Sequence, residues 1–157
     1  MSKSKSFEQQ VLKFHQQIMD LIKKYQFRDR SEITCCGISV SQCYVLETLH
    51  THGALTMNEL AEKMYLSLST VTRVVDELVK KGFVQREEDP ADRRIRVIDL
   101  TSQGEAAFQK SWQNVLHSER AILENFPSEH RELLINFLVQ LNQSVEKWQS
   151  CCETDHS

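Results

Sequence analysis

The sequence predicts a mainly α-helical fold with a small β-wing, a winged helix-turn-helix flanked by N- and C-terminal helices. Three observations predict it. Gly and Pro are scarce, four and two in 157 residues, which disfavours an all-β chain. Apolar residues recur at spacings of three and four over most of the length. The period changes only once, in VQREE and IRVIDL, two β-like runs joined by the charged, Pro-containing link DPADRR. The length suits one domain or one compact fold with helical extensions, and a 40% hydrophobic content is enough for a core.

In order along the chain, Phe7, Val11, Phe14, Ile18, Leu21, Ile22 and Tyr25 mark an amphipathic helix over residues 7–25. The polar FRDRSEITCCGI then reads as a loop. Ser39 and Gln42 form a capping box that opens a helix running to about His50 and stopping near HTHG. Thr56 and Glu59 form a second box, opening the short MNELAEKM helix. Ser67 caps a helix that runs to Lys81, with Gly82 just past its end. A two-stranded hairpin with a basic tip follows. Thr101 caps a long helix through Phe108, Trp112, Val115 and Leu123, which Pro127 breaks. A last helix carries Leu134, Phe137, Leu141, Val145 and Trp148, and QSCCETDHS reads as an exposed terminus. The predicted organisation is residues 1–38 as an N-terminal helix with a Cys-containing loop, 39–101 as a helix-turn-helix with a β-wing, and 102–157 as C-terminal helices and tail. The outer helices carry apolar stripes that need partners, each other or a second copy of the chain.

Net charge is −3, and its distribution says more than its sum. Residues 1–62 are balanced, residues 63–96 hold eight basic against six acidic residues, and residues 97–157 hold four against nine. The one positive segment is a modest footprint for a polyanion. No apolar run follows the basic MSKSKSFEQQ, and none approaches the roughly 18–20 residues of a membrane span. The expectation is a soluble cytoplasmic protein without a membrane partner, whose five cysteines are thiols rather than a disulfide framework.

On the helix SLSTVTRVVDELVKK, Leu68, Val71, Val74, Val75, Leu78 and Val79 share one arc at 100° per residue. Ser69, Arg73, Asp76 and Lys80 form the opposite stripe, flanked by Thr70 and Thr72. Short hydroxyl side chains permit close approach to a major groove, and arginine can bond guanine O6 and N7 together. An ordinary solvated face accounts for the same residues. The wing shifts the balance, because Asp92, Arg93, Arg94 and Arg96 put three arginines on or beside a hairpin tip, where guanidinium groups suit a narrow minor groove.

The run LSLSTVTRVVDELVKKGFVQREEDPADRRIRVIDLTSQG resembles the signature of the MarR family of winged-helix transcriptional regulators, and the helix order extends the likeness over essentially the whole chain. The resemblance implies a homodimer with interlocked terminal helices. It implies two recognition helices reading a pseudo-palindromic double-stranded DNA operator, and a ligand or thiol event that alters their spacing. By position it implies that Ser67, Ser69, Thr70, Thr72 and Arg73 face the major groove, that Arg93 and Arg94 face the minor groove, and that Asp92 orients a wing arginine.

The stretch TCCGISVSQC lies outside that shared pattern, at the junction where effectors of the family act. Cys35 and Cys36 precede a helix N-terminus, which favours thiolate, and Gly37 permits the pair to converge with Cys43, in or just after the first turn. One reading is a soft-ion site, with three thiolates suiting As(III), Hg(II), Cd(II) or Cu(I); zinc would want a fourth ligand. A second is an oxidant sensor. A third is packing, with cysteine as a small buried hydrophobe. Cys151 and Cys152 in the tail would add a ligand or a resolving thiol. A small organic effector in the dimer cleft is the alternative to all thiol chemistry. Nothing points to an enzyme: there is no C-x-x-C, no Gly-rich phosphate loop, no nucleophile elbow and no H-E-x-x-H.

Overall fold

The computed structural model describes residues 2–34, 37–89, 92 and 94–154. The helices are α1 (Ser2–Thr34), α2 (Val40–His52), α3 (Met57–Lys63), α4 (Leu68–Lys80), α5 (Ser102–Glu124) and α6 (Ser128–Thr154); the strands are β1 (Leu55–Thr56), β2 (Val84–Glu88) and β3 (Arg96–Leu100). No helix among the described residues is long and apolar enough to cross a membrane. The chain divides into two compact units, residues 1–115 and 116–157.

The first unit holds the buried core. Val45, Leu46 and Leu49 of α2, Leu60 of α3, and Val71, Val75 and Leu78 of α4 pack with Ile98 of β3 and Phe108 of α5. Both predicted capping boxes form. Ser39 Oγ accepts from the Gln42 backbone N–H at 3.3 Å while Gln42 Oε1 accepts from that of Ser39 at 3.2 Å. Thr56 and Glu59 repeat the exchange at 3.2 and 2.8 Å. Each box satisfies amides that the first helical turn leaves without partners. Helix α4 ends as expected, with Gly82 at φ 71°, a left-handed conformation glycine adopts at little cost. Thr101 joins the start of α5 to this turn: its Oγ1 donates to Gly82 O at 2.6 Å and accepts from Gly104 N–H at 3.0 Å.

Four expectations need correction. First, residues 27–34 are not loop: α1 continues through them to Thr34. Ile33 and Asp29, one turn apart, both turn inward and are buried, and Arg28 pairs with the buried Asp29 carboxylate. Second, the wing is part of a three-stranded antiparallel sheet, ordered β1-β3-β2. Leu55 pairs with Ile98 and Val84 with Leu100; a two-residue strand is too short to show any period. Third, the buried arc of α4 is narrower than predicted. Val71, Val75 and Leu78 are fully buried and Val74 packs at the edge, but Leu68 and Val79 are exposed. Fourth, α6 runs on through Thr154, so residues 149–154 of QSCCETDHS belong to the last helix and not to a tail beyond it.

The second unit comprises the end of α5 and α6. Asn125 and Phe126 close the last turn of α5 onto Ile122 and Leu123, and His130 N–H donates to Pro127 O, so Pro127 sits in the break as its missing N–H requires. None of the described α6 side chains is buried; Leu133, Phe137, Leu138, Val145 and Trp148 are all exposed.

Candidate nucleic-acid interface

At the start of α4 the hydroxyls form a local cluster. Ser67 Oγ accepts from Thr70 N–H at 3.3 Å and lies 2.8 Å from Thr70 Oγ1 and 3.1 Å from Ser69 Oγ. Thr72 Oγ1 donates back to Leu68 O at 2.7 Å, which leaves its lone pairs available to an incoming donor. Arg73 is exposed on the same side. The turn before the helix is unusual: Tyr65 has φ 53°, uncommon for a side chain with a Cβ, and it is among the most exposed aromatic residues described.

The wing turn is held by aspartates acting on backbone. Asp92 N–H donates to Asp89 Oδ1 at 3.2 Å, and Asp92 Oδ1 accepts from Arg94 N–H at 3.0 Å. Asp92 therefore fixes the main chain at Arg94. Its neighbour Arg93 lies outside the described residues. Arg96 Nη2 is 3.6 Å from Glu88 Oε1 across the β2–β3 pair, and Arg86 pairs with Asp76, tying β2 to α4. Arg73 and Arg94 have no side-chain hydrogen bond or ion pair among the described residues.

Cys35 and Cys36 lie outside the described residues, as do the side chains of Cys151 and Cys152. Cys43 is 3% exposed and belongs to the core, its Sγ 3.5 Å from Ser111 Oγ of α5. Among the described residues no group of three or more His, Cys, Asp or Glu side chains is placed to hold a metal.

Among α1, α2 and the α3–α4 turn lies a feature the sequence did not disclose, a cavity of about 810 Å³. Asp29, Tyr44, Glu47, Lys63 and Leu66 are among its lining residues. Asp29 is 6% exposed. Its Oδ1 accepts from Arg28 Nε and Nη2 at 3.0 and 2.6 Å, and its Oδ2 from the Tyr44 hydroxyl. Burial, then the bond to Asp29, push the Tyr44 hydroxyl well above its ordinary pKa. Burial and the Asp29 charge likewise push the Glu47 carboxyl above the usual carboxylate range. The residues of this cavity lie on three separate segments, so no local spacing could have found them.

Comparison with known proteins identifies the architecture. The MarR family model matches residues 38–95. The HTH-type transcriptional regulator YfiV of Bacillus subtilis is 33% identical over 118 residues, 75% of this chain and 74% of that protein. The HTH-type transcriptional repressor MdtR of Bacillus subtilis is 28% identical over 151 residues, 96% of this chain and 93% of that protein. A solved MarR family protein from Bacillus stearothermophilus superposes with a TM-score of 0.81 at 27% identity, covering 88% of this chain and 97% of that one. With its helix-turn-helix, three-stranded wing and flanking helices, the chain belongs to the MarR family of winged-helix transcriptional regulators.

Proposed function

We propose that the chain is a homodimeric, sequence-specific DNA-binding repressor of the cytoplasm, with residues 39–101 as its DNA-binding unit between two dimerisation segments. One observation carries the reading. The described arginines of α4 and the wing divide into two that pair within the chain, Arg86 with Asp76 and Arg96 with Glu88, and two, Arg73 and Arg94, that make no side-chain hydrogen bond or ion pair among the described residues. Ser67, Ser69, Thr70, Thr72 and Arg73 would meet base edges and phosphates in the major groove. Arg93 and Arg94 would enter the minor groove, on a turn that Asp92 holds. The likeness to a named repressor over nearly the whole chain supports the sign of regulation.

The test is DNA binding by variants. Arg73→Ala should cost about 1–3 kcal/mol of discrimination against a mismatched base. Arg94→Ala should weaken binding to all sequences and lower the salt slope by about one. Wild-type affinity and specificity in both variants would overturn the reading.

The effector we infer is a small organic molecule held in the cavity between α1 and α2, whose 810 Å³ falls within the roughly 300–1,000 Å³ of ligand sites. A thiol-reactive effector, soft ion or oxidant, is a second reading. Burial of Cys43 supports packing for that thiol and narrows the sensor to Cys35 and Cys36, with Cys151 and Cys152 as further candidate ligands. One observation favours it: Gly37, which follows the pair in sequence, accepts through its carbonyl oxygen from Lys81 at the end of α4 at 2.9 Å. Native mass spectrometry with As(III) and Zn(II) separates the two. An adduct lost in the Cys35→Ser/Cys36→Ser variant, with DNA release, supports the thiol reading; DNA release by thiol reagents that persists in that variant removes it.

A further inference from the structure

Gln42 is one of few buried polar residues described, 3% exposed, and it does more than close a capping box. Its Oε1 accepts from Ser39 N–H at 3.2 Å and also from Lys81 Nζ at 2.8 Å. Its Nε2 donates to Glu77 Oε2 at 2.8 Å. Lys81 Nζ donates further to Gly37 O at 2.9 Å. Glu77 lies in the last turn of α4 and Lys81 is its C-cap residue. One side chain in the first turn of α2 thus holds the end of the reading helix by two bonds, each part-buried because the glutamine end is buried while Glu77 and Lys81 are exposed.

The second capping box of this chain shows why the residue is glutamine. At the start of α3 the same position is Glu59, which caps Thr56 through a carboxylate and needs no further partner. At position 42 a carboxylate would cap equally well, but it has no proton to donate and would set like charge against Glu77. Only an amide serves Ser39, Lys81 and Glu77 together.

We propose that Gln42 is a positioning residue for DNA reading, acting through Glu77 and Lys81 to set the angle at which α4 meets the groove. The proposal rests on the reading of α4 as the DNA-reading helix. It goes beyond that reading by assigning the orientation of the helix to a buried polar clamp that never touches DNA. Ser39, Val40 and Ser41, in the same turn as Gln42, line the cavity, so the residue that holds α4 lies beside the proposed effector.

The experiment uses the full-length protein and a duplex enriched by wild-type protein from a random-sequence pool, with a scrambled duplex as reference. Gln42→Glu keeps the cap and breaks the link to Glu77. It should lower affinity for the enriched duplex by about tenfold and leave scrambled-duplex affinity and the melting temperature near wild type. Adding Glu77→Gln restores a donor across the gap and should recover affinity to within about threefold, the coupling that a double-mutant cycle isolates. Lys81→Met, at an exposed position, should reproduce the loss of discrimination without unfolding. Unchanged discrimination in both Gln42→Glu and Lys81→Met, or no recovery in the folded double variant, overturns the clamp. Arg73→Ala is measured beside them: if it leaves discrimination intact, or if wild type enriches no duplex, the reading of α4 itself fails and the clamp falls with it.

Discussion

Gly104 shows how a single residue can fix the approach of two elements. A Cβ there would lie 1.8 Å from Phe83 O and 2.7 Å from Phe83 C. The carbonyl cannot move aside, because it accepts from Thr101 N–H at 3.1 Å. Gly104→Ala should therefore destabilise the protein by at least about 2–3 kcal/mol through overpacking against backbone, read as a lower urea midpoint at fixed protein concentration. A change within about 0.5 kcal/mol would mean that the start of α5 can retreat from the turn. Glu47 gives a prediction of a different kind. Its folded-state pKa is raised above the ordinary glutamate value of 4.5 by burial first and by Asp29 second. The folded protein therefore binds this proton more tightly than the unfolded chain. The favourable contribution is complete below pH 4.5 and is lost as pH rises through the raised folded value. Glu47→Gln should raise the melting temperature at pH 7 and give no gain near pH 4. The side chain is half-exposed, so solvent screening keeps the effect below about 1 kcal/mol. A gain of equal size at both pH values would remove the electrostatic cause.

At the scale of elements, what the sequence disclosed was what its neighbouring residues decide. Both capping boxes, the glycine after α4, the threonine opening α5 and the proline between α5 and α6 each act within four residues of their own position, and each was legible. The C-terminal part of α1 was not. Arg28, Asp29, Arg30 and Glu32 read as solvated charge, yet Asp29 is buried because Tyr44, from the next helix, supplies a hydroxyl to it. A polar residue buried by a partner from another element leaves no local trace. The same holds for β1, whose two residues gain strand character only from Val97 and Ile98. Gln42 was visible as a cap but not as a clamp, since Glu77 and Lys81 lie 35 and 39 residues away. Of the three thiols Cys35, Cys36 and Cys43, Cys43 is the one among the described residues, and for it the packing reading holds. Cys43 sits on the face of α2 that carries Leu46 and Val45 into the core, and a small apolar side chain on that face is claimed by packing before it can serve a loop.

At the scale of the whole molecule, the remaining fact is apolar surface without cover. Helix α1 is 33 residues long, about 50 Å at 1.5 Å per residue. It leaves Phe7, Val11, Phe14, Leu21 and Ile22 exposed, and α6 exposes a second such face. Isolated exposed side chains are ordinary, but contiguous stripes on long helices mark interfaces. The proposed dimer supplies the cover, because a self-complementary face closes on a second copy and leaves no open end. It also supplies the function. On the proposed function, one reading head with a modest basic segment would bind weakly, and two heads fixed about 34–36 Å apart would bind a pseudo-palindrome together. Phe14, 54% exposed in the middle of the α1 stripe, is the position to test. Phe14→Glu places a charge where the second copy would bury it, and burying an unpaired carboxylate is more costly than the lost aromatic contact alone. In sedimentation at micromolar concentration the wild-type chain should run as a dimer and the variant as a monomer. The operator affinity of the variant should fall by about a hundredfold or more, since the second half-site is no longer bound intramolecularly. Its melting temperature should also lose the dependence on protein concentration expected of a dimer. A variant that stays dimeric with wild-type operator affinity would show that the stripe on α1 is covered by something other than a second copy, and the two reading heads would then need another tether.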